Sequence, residues 1–224
     1  QKATQEKALD IIISASKLAD RKNVVLTGGY ALNCVANYSF LEKVNEEGIT
    51  LYVEPISSDA GTAIGAALWG YHEESRDEQR RGRDIYLGPE YNYQQSDIDK
   101  LVSEFNCQMS DADDNSVVEL ITEKNIVAMF QGRSESGPRA LGNRSILYDP
   151  RDPDGKDHVN TVKNREYFRP FAGTILAEDV HEWFDLRGME DTPHMMYAVN
   201  CQEGVAEKMP CIIHVDGTCR IQTV

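Results

Sequence analysis

Val24-Val25-Leu26-Thr27-Gly28-Gly29-Tyr30-Ala31-Leu32-Asn33 decides the fold class. Three β-forming residues run straight into paired glycines, and beyond them Ala31, Cys34, Val35, Tyr38 and Leu41 recur at helical spacing. The stretch reads as strand, tight turn, helix. Upstream, Ala8, Ile11, Ile12, Ala15, Leu18 and Ala19 predict an amphipathic helix over Thr4–Arg21. Downstream, Asn45–Gly48 reads as a turn and Ile49–Val53 as a second strand. A further helix follows, capped by Ser57 or Ser58, with Ala60, Ala63, Ile64, Ala67, Leu68 and Tyr71 as its inner face. Helix, strand, glycine turn, helix, strand, helix is the order of an α/β layer with short connections.

From Glu73 to Arg83 charge replaces the apolar pattern, so 77–94 reads as a linker between 1–76 and a second unit over 95–224. Arg80, Arg81 and Arg83 read there as a solvated face with no catalytic role. In the second unit Ser96 is expected to cap a helix that turns Ile98, Leu101, Val102 and Phe105 inward. Val117, Leu120 and Ile121 mark another helix and Ile126–Phe130 a strand. Asp157–Asn164 reads as a short helix, and Asp179 as the cap of one through Phe184. Met195–Cys201 and Pro210–Val215 read as strands, with Asp216-Gly217 as a hairpin turn into Arg220–Val224. A break inside that last strand suggests a piece of a longer protein.

The chain has 224 residues and a formal net charge of -14, which argues against non-specific binding to nucleic acid. No apolar run approaches the roughly 20 residues of a membrane span, and no signal peptide is visible. Five cysteines without a C-x-x-C make a disulfide framework or zinc site a poor expectation, and a reducing cytoplasm the expected location. Within this acidic chain, Gly132–Phe171 holds eight basic residues against six acids. Gly132, Gly137 and Gly142 suit a backbone wrapped round a ligand, and Arg133, Arg139 and Arg144 can converge from different sides. Such an island suits phosphate or carboxylate, since guanidinium forks match oxyanions and glycines let amides approach. The blander reading pairs these arginines with Glu135, Asp149, Asp152 and Glu166 as loop braces. Lone His214 reads as packing or surface.

Four segments carry a resemblance: V-L-T-G-G-Y-A-L-N-C-V-A-N, E-P-I-S-S-D-A-G-T-A-I-G-A-A, Q-G-R-S-E-S-G-P-R-A-L-G-N-R-S-I-L and R-E-Y-F-R-P-F-A. Together they resemble the O-carbamoyltransferases of nodulation and antibiotic tailoring, over nearly the whole chain. The resemblance implies the C-terminal half of an actin- and sugar-kinase-like, threonylcarbamoyltransferase-like domain, followed by a YrdC-like α/β domain. It also implies a reaction in which carbamoyl phosphate and ATP give carbamoyl-AMP, whose carbamoyl group passes to an acceptor hydroxyl. Gly28, Gly29 and Asn33 match the nucleotide-contacting glycine turn, and Arg133 joins them as a cofactor-binding candidate. Asp59 matches an aspartate that ligates a divalent metal, iron or magnesium. The histidines that share that metal in an H-x-x-x-H motif have no counterpart here. Lys163 and Arg165 are the preferred phosphate contacts, with Arg139, Arg144 and Arg169 next. Two rival readings are a non-catalytic nucleotide- or phosphate-binding module and a sugar-kinase-like phosphotransferase. The second leaves the arginine island unexplained.

Overall fold

The structure, a computed structural model, describes residues 1–77 and 84–224. Arg80, Arg81 and Arg83 lie outside the described residues. The first unit follows the expected order: α1 (Lys2–Ala19), β1 (Asn23–Leu26), a 3-10 turn (Gly29–Leu32), α2 (Cys34–Glu46), β2 (Thr50–Val53) and α3 (Asp59–Ser75). β1 and β2 pair in parallel, Val24 opposite Leu51 and Leu26 opposite Val53. Gly28 enters the turn at φ 82°, a conformation that glycine adopts without a Cβ penalty. Asn33 then caps α2 by accepting the Ala36 N–H at 3.1 Å.

α4 (Gln95–Glu104), α5 (Asp114–Thr122), β3 (Val127–Phe130), β4 (Arg144–Leu147), α6 (Gly155–Val162), β5 (Ala172–Ile175), α7 (Val180–Trp183), β6 (Phe184–Asp185), β7 (Ala198–Cys201) and β8 (Thr218–Thr223) follow. β3 and β4 form an antiparallel pair across the island's glycine loop. The remaining strands make a mixed sheet in the order β5-β8-β7-β6, parallel only between β5 and β8.

α2 joins the two units. One face sets Ala36, Phe40 and Val44 against Ile12 and Ile49 under the β1–β2 layer. The other sends Tyr38 and Leu41 into the main core with Phe184, Leu186, Val199 and Ile221. Each such large apolar side chain contributes about 1.5–3 kcal/mol on burial, so the four-stranded sheet and the α/β layer share one hydrophobic interior through α2. No helix among the described residues is long and apolar enough to cross a membrane.

Four expectations are corrected. Pro210–Val215 is not a strand: Pro210 opens a 3-10 turn (Pro210–Ile212), and the edge of β7 is taken by β8. Proline has no N–H to give a ladder, so the segment packs Cys211 and Ile212 into the core instead. Ser96 lies inside α4, whose cap residue is Gln94, with its N–H donated to Asp97 Oδ2 at 2.9 Å. Asp179 stands at the start of α7 without a side-chain capping bond. Finally, the stripes of α3 and α4 are only partly inner faces: Ile64 packs against the cluster of Ile56, Ile85, Leu141 and Met195, and Ile98 and Val102 are half-buried. No residue of either helix is buried, and Leu68, Tyr71, Leu101 and Phe105 are exposed, because no described element covers them.

Candidate anion-binding site

The loop between β3 and β4 is wrapped round an anion that belongs to the chain. Gly132, Gly137 and Gly142 have φ of 48°, 104° and 115°, turning successive amides inward. Glu135 Oε1 accepts them, from Leu141 N–H at 2.7 Å, Asn143 N–H at 2.9 Å and Arg144 N–H at 3.4 Å. Burial pushes this carboxyl upward, but the backbone donors outweigh it and hold Glu135 below the ordinary carboxylate range. A group depressed in this way contributes stability above its unfolded value, lost as pH falls through the folded one. Glu135→Gln is therefore expected to lose about 1 kcal/mol at pH 7, discounted for partial solvent exposure, and to flatten the acid branch of the stability curve. Chemical denaturation between pH 3 and pH 7 measures both.

The island's arginines divide by what they touch. Arg133 donates to Gly88 O at 3.0 Å and Leu87 O at 3.2 Å, pinning the loop to the segment entering α4. Arg144 donates to the carbonyls of Gln131, Gly132 and Asn143 and lies 3.8 Å over the Phe130 ring. Arg151 forks onto Asp149 and Arg169 pairs with Glu166. These four brace loops. Asp152 takes Lys124 and Tyr148, while Glu135 holds amides and no arginine. Arg165 rests its guanidinium 5.2 Å over Phe171. Lys163, at the C-terminal end of α6, is exposed and has no side-chain hydrogen bond or ion pair among the described residues.

Arg139 goes elsewhere. It crosses to the first unit, donating from Nη2 to Leu32 O at 3.3 Å and Cys34 Sγ at 3.4 Å, while its buried Nε has no partner. From β8, Arg220 shares a side-chain hydrogen bond with the same Cys34 thiol, and its Nε is also buried and unpartnered. Burial first, and then the neighbouring Arg139 charge, push the Arg220 guanidinium down. Beside it His214 meets Thr218 Oγ1 through Nδ1 at 3.1 Å and leaves Nε2 buried without a partner. Burial pushes this imidazole down too, with Asp216 opposing and the Arg220 charge adding, which keeps it neutral near pH 7. Two like charges converge here, and among the described residues no acid acts on Arg220. Such an arrangement has a ready physical use, which is to receive an oxyanion.

Arg133, Arg144 and Arg139 thus do not converge; the partners of Arg139 are Leu32 O and Cys34 Sγ, and the charge beside it is Arg220. Cys34, His214 and Arg220 were missed as site residues. A signal existed for the last: in Cys219-Arg220-Ile221 one arginine interrupts a run that otherwise reads as a buried strand, and an interior arginine requires a counter-charge.

The glycine-turn candidates lie where β1 passes into α2. Gly28 and Gly29 have open space where a Cβ would sit, and Asn33 spends its oxygen on the α2 cap and on Gln1. Asp59 is exposed at the first position of α3. Among the described residues no three His, Cys, Asp or Glu gather into a metal-holding group. One exposed carboxylate is a poor site for a divalent cation, so the residues present do not fit the implied metal and no step is assigned to it.

The fold is that of a mixed α/β protein in which two arginines, Arg139 and Arg220, meet at the Cys34 thiol. Residues 118–224 match the model described as carbamoyltransferase C-terminus, and residues 7–68 that of carbamoyltransferase N-terminus. The nodulation protein NolO of Bradyrhizobium diazoefficiens is 38% identical over 233 residues, covering 99% of this chain and 42% of NolO. NolNO of Sinorhizobium fredii is 36% identical, covering 100% of this chain and 34% of that protein. A nodulation protein U of Azorhizobium caulinodans is 32% identical over 91% of this chain. The chain belongs to the O-carbamoyltransferase family, and it spans only 34–42% of the length of the curated relatives named first.

Proposed function

We propose that the protein carrying this chain is an ATP-dependent O-carbamoyltransferase. It forms carbamoyl-AMP from carbamoyl phosphate and ATP and transfers the carbamoyl group to an acceptor hydroxyl. The observation that carries this reading is the Arg139–Arg220 pair, where two buried guanidinium Nε–H groups stand without partners beside Cys34. A phosphate held there would satisfy the two guanidinium Nε–H groups together, neutralising charge that the fold leaves uncompensated. The pocket lies between residues of both matched segments, Cys34 on one side and Arg139 and Arg220 on the other. An actin-like half followed by a YrdC-like unit is the architecture we assign to those segments. Exposed Lys163 and neighbouring Arg165, which rests on Phe171, are the cations we assign to a nucleotide's outer phosphates.

The reading is tested in protein of the relatives' length, given carbamoyl phosphate and ATP and assayed for pyrophosphate. Lys163→Ala is expected to lower turnover about tenfold, the loss of one charge-assisted contact, without changing the melting temperature. Carbamoyl phosphate binding with no pyrophosphate from the unsubstituted protein would favour a non-catalytic phosphate-binding module.

A further inference from the structure

Asn160, in the last turn of α6, is 1% exposed. Its amide donates twice, to Arg169 O at 3.0 Å and to Tyr167 O at 3.3 Å, and its own backbone carbonyl accepts the Arg165 N–H at 3.0 Å. The chain leaves α6 at Lys163, reverses at Asn164 with φ 49°, and returns over this one residue. Among the described residues, every hydrogen bond that leaves 165–169 ends on Asn160; the others, from Arg169 to Glu166, stay inside the loop. Apolar packing does little to hold the segment. Tyr167 and Phe168 are 75% and 64% exposed, and Phe171, which packs on the main core, lies beyond its end.

Donors are what this position requires. Two facing carbonyls can only accept, so the NH2 group is the end of the amide that satisfies them. Asn160 Oδ1 is buried without a partner and adds nothing to the clamp. Alanine here would leave both carbonyls without that donor. Lys163 and Arg165 stand at the start of the loop. Among the described residues neither has an ion pair: Lys163 has no side-chain bond, and the Arg165 guanidinium rests on the Phe171 ring. Their placement therefore depends on the backbone, and the backbone of the loop depends on Asn160. A reacting group displaced by about 1 Å can lose up to about a hundredfold in rate.

Resting on the carbamoyl-transfer reading above, we propose that Asn160 is a positioning residue of the reaction: it touches no reactant and holds Lys163 and Arg165 where they meet the nucleotide's phosphates. The test uses protein of the relatives' length, assayed for pyrophosphate from carbamoyl phosphate and ATP. Asn160→Ala alone should lower turnover about tenfold. Added to Lys163→Ala/Arg165→Ala it should lower turnover less than about twofold further, because the groups it holds are gone. Asn160→Ser keeps one donor and should lose less than alanine, which keeps the test open if the alanine variant does not fold. Val159→Ala, at a buried apolar neighbour in α6, controls for lost stability: the melting temperature should fall comparably and turnover less than about twofold. Equal losses from Asn160→Ala in both backgrounds, or an equal loss from Val159→Ala, would mean that Asn160 only stabilises the fold, and overturn the proposal. If the cation pair lowers turnover while Asn160→Ala and Asn160→Ser leave it unchanged, the proposal alone fails. If the pair itself loses nothing, the assignment of phosphates to these cations fails and the proposal falls with it.

Discussion

Gly61→Ala is expected to destabilise the chain by more than about 3 kcal/mol, while Gly65→Ala, one turn further along α3, is expected to stabilise it by up to about 1 kcal/mol. A Cβ on Gly61 would stand 2.0 Å from Ile56 O and 3.1 Å from its carbonyl carbon. Backbone atoms cannot swing aside as a flexible side chain would. Ile56 is fully buried beside Ile85, Leu141 and Met195, and Gly137 packs its own backbone against Pro55 and Ile56 from the island loop. Any shift that admits the methyl therefore moves the seam between α3 and the glycine loop, and against a typical total stability of about 5–15 kcal/mol that is a large fraction. Around Gly65 nothing lies within 4 Å, so the added methyl meets no clash and only removes backbone entropy from the unfolded chain. Opposite signs in paired denaturant melts are the result expected. Equal small effects at both positions would mean that the α3 N-terminus does not sit on Ile56.

The contrast shows where the sequence is legible. β1, the glycine turn, α2 and β2 follow from Val24–Val53 because local pattern and tertiary packing ask for the same thing there: α2 carries apolar residues on two faces and is buried on both. α3 and α4 are legible as helices but not in what they bury, since periodicity reports that a stripe exists and says nothing of whether a partner covers it. The island was legible as charge. What charge could not reveal is that Glu135 already fills the glycine nest and that Arg133, Arg144, Arg151 and Arg169 are spent on carbonyls and acids close by. The pocket needs Cys34 and Arg220, 186 positions apart in the numbering, and only the packing of α2 and β8 on one core brings them together.

From that packing follows the second large effect. Inorganic phosphate and carbamoyl phosphate are both expected to raise the melting temperature of the chain, and at a hundredfold excess over Kd the gain is about 2.7 kcal/mol. Arg220→Gln should cut that rise by about half or more. Each charge-assisted hydrogen bond to the anion contributes about 1.5–3 kcal/mol, so losing the guanidinium is expected to weaken binding at least tenfold. Without ligand the same substitution should leave stability unchanged or raised, because it removes one of two like charges that burial and proximity already disfavour. Stability and affinity moving in opposite directions distinguishes a ligand site from a brace. Arg139→Gln should behave alike, with some stability lost through its bond to Leu32 O. Arg151→Gln and Arg169→Gln should leave affinity alone, as their guanidiniums are paired with Asp149 and Glu166. Arg220→Lys keeps the charge but not the fork and should recover only part of the binding. An unchanged Kd for phosphate in Arg220→Gln, measured by calorimetry, would remove the pocket from the reaction and return the search to Lys163 and Arg165.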